Sequence, residues 1–489
     1  MKCLAVVGLL IVGVATAAPF ALPRSTPESQ GVSSSGVLAF IEGADKIDAM
    51  NSFMLVRHGH VVAEGWWSPY NPESRHELYS LSKSFTSTAV GLAASEGKLS
   101  VDDEILKFFP ADAPTNSGAN LKLMRISDLL RMSTGHQDEP SPAATTVCPK
   151  TFMAQPVPHK PGTHFKYNTA ATFMLSAIVQ KQTGMPVLDY LQPRIFAPLG
   201  ITDPTWDTNF QGVSLGGYGL KVRTEDIAKF GQLYLQKGQW EGKQLIPAGW
   251  VDAATSRQTS NGSNPGSDWD QGYGYQFWRC RHGAFRGDGA FGQYCIVLPK
   301  QDAVVAITSG VKDMQATLNL VWEKLLPALQ PRRLPSDKVS QQKLTARLGN
   351  LTVRMPEGSI SSPIVPKVAG KKYLFPANDQ KLESLEVSTS TDGGWVVTTR
   401  ANGVESRLLC GNRAWKTGRG PFGTRPEEAL ATSAAWQTED TLAVKVCAIE
   451  TPFYQTMTLR FDGNTVVRET QQNVGFGGVK QAPLTGRTE

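Results

Sequence analysis

The sequence predicts an α+β protein: an antiparallel sheet flanked by helices, with an all-helical insertion, followed by a C-terminal antiparallel β domain. Three observations predict it. Strand-like runs near residues 53–66 return from about residue 272, and helical periodicity fills most of the interval from about 121 to 240. Distant segments must then complete one sheet around a helical insertion. Beyond about residue 351 strand-like runs recur, separated by turns such as Asp392-Gly393 and Asp462-Gly463. Finally, 489 residues exceed one ordinary domain.

Taken in order, residues 1–18 read as a signal peptide: Lys2 is the charged start, Leu4 to Val14 the apolar stretch, and Ala15-Thr16-Ala17 the small-residue cleavage site. Export, to a periplasm or the exterior, is expected. The apolar run is too short to span a bilayer and no other stretch comes close to that length. The first domain is expected over 19–330. Val32 to Ala44 reads as a short helix. Phe53 to Val56 and Val61 to Trp66 read as two strands joined at His58-Gly59-His60. A helix opens near Ser80 and stops near Gly97. Ile126 to Met132, Ala170 to Thr183 and Thr224 to Gln236 read as helices; Gly274 to Trp278, Gln293 to Leu298 and Ala303 to Ile307 read as strands. Residues 331–350, polar and carrying Pro331 and Pro335, read as a linker, and 351–489 as the β domain, with strands at Gly394 to Thr399, Leu442 to Val446 and Thr456 to Phe461.

Composition narrows the function classes. The net charge of +6 comes from scattered Lys and Arg with no basic stripe, which excludes a nucleic-acid partner. The 40% hydrophobic content is enough for substantial cores. The seven His are dispersed and no C-x-x-C or H-E-x-x-H spacing occurs, so neither a metal nor another cofactor is expected. Beyond Cys3 of the leader, Cys148, Cys280, Cys295, Cys410 and Cys447 remain, an odd number. Cys410 and Cys447 lie in strand-like runs of one region and could pair; Cys280 and Cys295 flank a possible hairpin.

The chemistry begins at Tyr79-Ser80-Leu81-Ser82-Lys83-Ser84-Phe85. The S-x-x-K spacing puts an amine and a hydroxyl on one helix face, a turn apart. A serine hydroxyl is a weak nucleophile until a neighbouring base takes its proton. Lys83 suits that role if burial and the positive helix end lower its pKa. Two further S-x-x-K matches, at Ser95 and Ser340, do not open apolar helices.

With this motif and those that follow it, the region 25–325 resembles the serine β-lactamase and penicillin-binding-protein-like hydrolases, on the branch of class C β-lactamases, family VIII carboxylesterases and 6-aminohexanoate-dimer hydrolases. The resemblance rests on Ser80 to Lys83, on "ISDLLRMSTGH" (126–136), on "GGYGLKVRTEDIAKFGQLYL" (216–235), and on Tyr167-Asn168-Thr169, where the family shows Tyr-x-Asn. It implies a β-lactamase/transpeptidase-like fold with Ser80, Lys83 and Tyr167 as catalytic residues. Tyr167, as phenolate or hydrogen-bonded phenol, would relay the proton, with Asn168 or Thr169 beside it. The family's Lys-Thr-Gly strand matches residues 282–299, where Asp288-Gly289-Ala290 stands instead, with Arg286 or His282 as candidate cations. This strand would supply the second oxyanion N–H near Ala290.

Three other matches are weighed and set aside. Lys416-Thr417-Gly418 lies in the C-terminal domain, outside the resemblance. Gly287 to Gly292 fits G-x-G-x-x-G but precedes a strand rather than a helix. Gly212-Val213-Ser214-Leu215-Gly216 fits a nucleophile elbow but lacks the flanking strand and helix, leaving Ser214 as the rival nucleophile. The expected protein is therefore an exported serine hydrolase of small esters or amides, acting through an acyl-enzyme. The alternatives are a D-Ala-D-Ala peptidase or β-lactamase, which a penicillin would acylate, or a catalytically silent binding protein on the same scaffold. The oligomeric state stays open.

Overall fold

The computed structural model describes residues 21–488, so the leader and Cys3 lie outside the described residues. A six-stranded antiparallel sheet organises the first domain. In spatial order it runs His60–Trp66, Met50–Arg57, Ala303–Ser309, Gln293–Leu298, Phe285–Gly289, Trp278–Arg279. Met50–Arg57 pairs directly with Ala303–Ser309, with Phe53 opposite Ile307 and Leu55 opposite Val305. The chain thus closes its sheet across some 250 residues, as the separated strand-like runs implied.

Both faces of this sheet are buried, which explains why its strands read as continuous apolar runs. Along Met50–Arg57, Met54 and Val56 join the core beneath the helical region. Phe53 and Leu55 point the other way, into a second core with Phe40 and Ile41 of the helix Ser34–Lys46. The helices Ser82–Ser95, Thr169–Thr183 and Thr224–Leu235 share the first core; Phe85 stacks on Phe230 at 3.8 Å between ring centroids. The helical insertion also holds a small three-stranded sheet, His76–Glu77, Leu220–Val222 and Thr205–Trp206.

Two elements differ from expectation. Of Gly274 to Trp278 only Trp278 enters a strand, as the start of Trp278–Arg279. Gln276 adopts φ +65° and its side chain donates to the carbonyls of Leu129 and Leu130, so tertiary hydrogen bonds pull this stretch out of extended pairing. The stretch read as a linker contains the helix Lys338–Leu348. Leu344 of that helix is buried in the second core, and Gln341 donates to Glu28 at 2.5 Å.

The C-terminal strands start at Lys372–Leu374 and form a ten-stranded antiparallel meander. Val404–Asn412 and Arg425–Trp436 also pair in parallel, closing the sheet into a barrel around Trp395, Val397, Trp436 and Leu459. The barrel docks on the first domain: Glu77 donates its N–H to the Glu450 carbonyl, and Arg425 pairs with the buried Glu77 carboxylate at 2.6 Å.

The pairing considered for Cys410 and Cys447 does not form. All five described cysteines are free and buried. Arg425–Trp436 lies between their strands, and the two side chains face different cores: Cys410 the barrel interior, Cys447 the core beneath the central sheet. Stability is therefore expected to be insensitive to reductant. A fall in Tm on adding dithiothreitol would contradict it.

Candidate active site

Ser80 sits in a 3-10 turn, Tyr79–Leu81, that runs straight into the helix Ser82–Ser95. One helical turn therefore carries Lys83 back beneath Ser80, and Lys83 Nζ lies 3.1 Å from Ser80 Oγ. Nζ also donates to the Gly217 carbonyl at 2.8 Å and to Thr169 Oγ1 at 3.3 Å. Lys83 is only 1% exposed. Burial pulls its ammonium down to about 7, against the Glu139 and Asp288 carboxylates, which hold it up. A neutral amine has two N–H donors and one lone pair. Gly217 and Thr169 take the two donors, which leaves the lone pair for the Ser80 proton.

Tyr167 lies over the same point. The Lys83 ammonium group is 5.0 Å from its ring centroid, and Trp278 stacks on it at 5.5 Å. Burial raises the Tyr167 pKa well above the ordinary phenol value. Asp288 raises it further, and the Ser80 hydroxyl beside it offsets a part. The group is therefore a neutral phenol at physiological pH. Of the two forms left open above, phenolate and phenol, desolvation selects the phenol.

The residues after Tyr167 divide the roles left open above. Asn168, expected among the cleft residues, is fully buried and caps the helix Thr169–Thr183, accepting from the Ala171 N–H at 2.9 Å. Thr169, one position on, reaches Lys83. The Thr169 N–H points at the exposed Glu139 carboxylate, a charge that the helix N-terminus favours.

The strand Phe285–Gly289 lies hard against the Ser80 turn. A Cβ on Gly289 would meet the Leu78 carbonyl oxygen at 1.9 Å, and one on Gly287 would meet Leu81 Cδ1 at 2.4 Å. This closeness sets the end of the strand against the turn that carries Ser80 and requires glycine on both sides of Asp288. Asp288 itself is buried, bonded by Arg286 Nε at 2.8 Å. Neither expected cation serves the cleft. Arg286 is fully buried, held by Asp288 and the Asp268 carbonyl, with Trp269 over its guanidinium. His282 packs on Trp322 at 5.3 Å.

The glycine-rich loop acts through its backbone. Ser214 is buried and its carbonyl accepts from Ser176, so it is no nucleophile; Gly216 accepts from Thr86 and Gly217 from Lys83. A Cβ on Gly217 would lie 2.6 Å from Thr169 Cγ2, so only glycine lets the carbonyl approach Lys83. Lys416-Thr417-Gly418 lies in a barrel strand, with Lys416 paired to Asp392. Sequence reasoning missed Glu139, which lies 30 residues from Thr169 in a loop with no motif, and the Gly217 carbonyl, which only tertiary contact reveals. Among the described residues no His, Cys, Asp and Glu group is placed to hold a metal, and no helix is long and apolar enough to cross a membrane.

Comparison with known proteins fits this geometry. The Beta-lactamase family profile matches residues 44–321. The chain is 23% identical over 286 residues to the 6-aminohexanoate-dimer hydrolase of Paenarthrobacter ureafaciens, covering 54% of this chain and 73% of that enzyme. It is 30% identical over 156 residues to an Escherichia coli (strain K12) protein provisionally named D-alanyl-D-alanine carboxypeptidase. There it covers 29% of this chain and spans only 35% of that protein's length. Among solved structures, a penicillin-binding protein homologue from Caulobacter crescentus superposes with a TM-score of 0.50 at 16% identity, over 60% of this chain and 97% of that one. The structure of SurE with D-Leu, also 0.50 at 16% identity, covers 93% of this chain and 99% of that one, so the likeness of fold extends through the barrel.

Proposed function

Because this chain belongs to the Beta-lactamase family of serine hydrolases, we propose that it cleaves small esters or amides through an acyl-enzyme on Ser80. The observation that carries this reading is Lys83, fully buried, 3.1 Å from Ser80 Oγ and with its pKa lowered to about 7. Lys83 takes the Ser80 proton as Oγ attacks the carbonyl carbon. The oxyanion is held by the N–H groups of Ser80 and Ala290, on two segments that glycine lets approach. The Tyr167 phenol gives its proton to the leaving group and regains one from the Lys83 ammonium. Water then attacks the acyl-enzyme by the reverse relay, and Ser80 is restored.

The charges around Ser80 support uncharged carbonyl substrates over the carboxylate-bearing ones of a peptidase or β-lactamase. Glu139 and Asp288 are the near carboxylates, and the Arg286 cation is buried against Asp288. The test is hydrolysis of p-nitrophenyl acetate, with fluorophosphonate labelling. Ser80→Ala is expected to lose about a thousandfold or more in kcat/KM and to lose the label. Equal activity with and without the Ser80 hydroxyl would overturn the reading.

A further inference from the structure

Two aromatics of the barrel pack on the residues next to Ser80 and Ala290 in the chain. Tyr79 precedes Ser80 and Phe291 follows Ala290, so the two aromatics flank the two oxyanion donors. Both hold left-handed backbone, φ +46° and +68°, which is costly for residues with a Cβ and persists only where packing enforces it. Their rings meet edge to face at 5.7 Å. The enforcing contacts come from the barrel. Phe453, in the turn before Tyr454–Asp462, lies 6.2 Å from Tyr79 and 5.5 Å from Phe291. Phe476 lies 5.6 Å from Tyr79 and 4.9 Å from Phe291.

Phe476 is 78% exposed, although a phenylalanine ordinarily buries most of its surface. It stands on Gly475-Phe476-Gly477-Gly478, where a Cβ on Gly477 or Gly478 would meet nothing within 4 Å, so the loop has room to adjust. One face of an exposed ring thus rests on the two residues beside the oxyanion donors. A substituent on a carbonyl bound at Ser80 that extends over Phe291 would meet that ring.

We propose that Phe476, with Phe291 and backed by the buried Tyr79, forms a substrate subsite that receives an aryl or similarly bulky apolar group next to the scissile carbonyl. Aromatic pairs at 4.5–7 Å attract beyond simple burial, which favours an aryl substituent. The assignment rests on Ser80 being the nucleophile, and its test separates the two.

The experiment uses the full chain and p-nitrophenyl acetate beside p-nitrophenyl phenylacetate. In Phe476→Ala the ratio of kcat/KM for phenylacetate over acetate is expected to fall about tenfold, the scale of one lost apolar contact, and Phe476→Trp to restore it. In parallel, ethyl phenylacetate is titrated by NMR into Ser80→Ala and into Ser80→Ala/Phe476→Ala, where its Kd is expected to rise about tenfold. An unchanged ratio and an unchanged Kd, or equal losses for both esters, overturn the subsite. If the wild type hydrolyses neither ester while the Kd still depends on Phe476, the proposed ester hydrolysis falls and the subsite stands.

Discussion

Lys83→Met is expected to lower kcat/KM for an ester about a thousandfold, the middle of the range for a lost general base, without unfolding the protein. In the wild type, the pH profile should show the cause. The Lys83 ammonium is depressed to about 7 by burial, so below that pH the amine is protonated and Ser80 is not activated. The rate should rise through about pH 7 and level off above it. This limb should vanish in Lys83→Met, where residual activity has no titrating base. Stability separates catalysis from folding. Because the folded Lys83 sheds its proton more readily than the unfolded chain, the unfolded state binds more protons between about pH 7 and the ordinary lysine value, and Lys83 makes stability rise with pH across that window. Methionine removes a desolvated amine of similar volume, so Tm at neutral pH should be equal to or above wild type. A lower Tm, or a rising limb that persists in the variant, would rule Lys83 out as the base.

Gly289→Ala is expected to cost between about a hundredfold and a thousandfold, as when one oxyanion donor is lost. The new methyl would stand 1.9 Å from the Leu78 carbonyl oxygen, and that neighbour is backbone rather than a flexible side chain. Either the strand Phe285–Gly289 or the turn before Ser80 must retreat. Leu78 precedes Ser80 by two residues and Gly289 precedes Ala290, so the retreat opens the gap across which both N–H groups must meet one oxygen. The loss should fall in kcat more than in KM, because an oxyanion contact tightens in the transition state. Wild-type kcat in Gly289→Ala would show that the strand does not set the oxyanion geometry.

The fold class was legible because hydrophobic period is a local property. Apolar runs over Met50–Arg57, Gln293–Leu298 and Ala303–Ser309 belong to a sheet buried on both faces, and turn pairs such as Asp462-Gly463 punctuate the barrel. Where a side chain's tertiary bonds outweigh local preference, the pattern misled: Gln276 bends its segment out of the sheet, and the polar segment around Leu344 folds onto the second core as a helix.

The site divides along the same line. Ser80 and Lys83 were legible as neighbours because three residues are one helical turn. By itself the sequence determined the order of the motifs, the serine–lysine juxtaposition and the two-part architecture. Tertiary structure decided what those groups are. It buried Lys83 and drew off its donors through Gly217 and Thr169, kept Tyr167 a phenol, and turned Asn168 into a cap. It also brought Glu139 to the cleft and set Phe453 and Phe476 of the barrel on the residues flanking Ser80 and Ala290. Protonation state depends on desolvation and on charges from distant segments, and neither is carried by the spacing of residues along the chain.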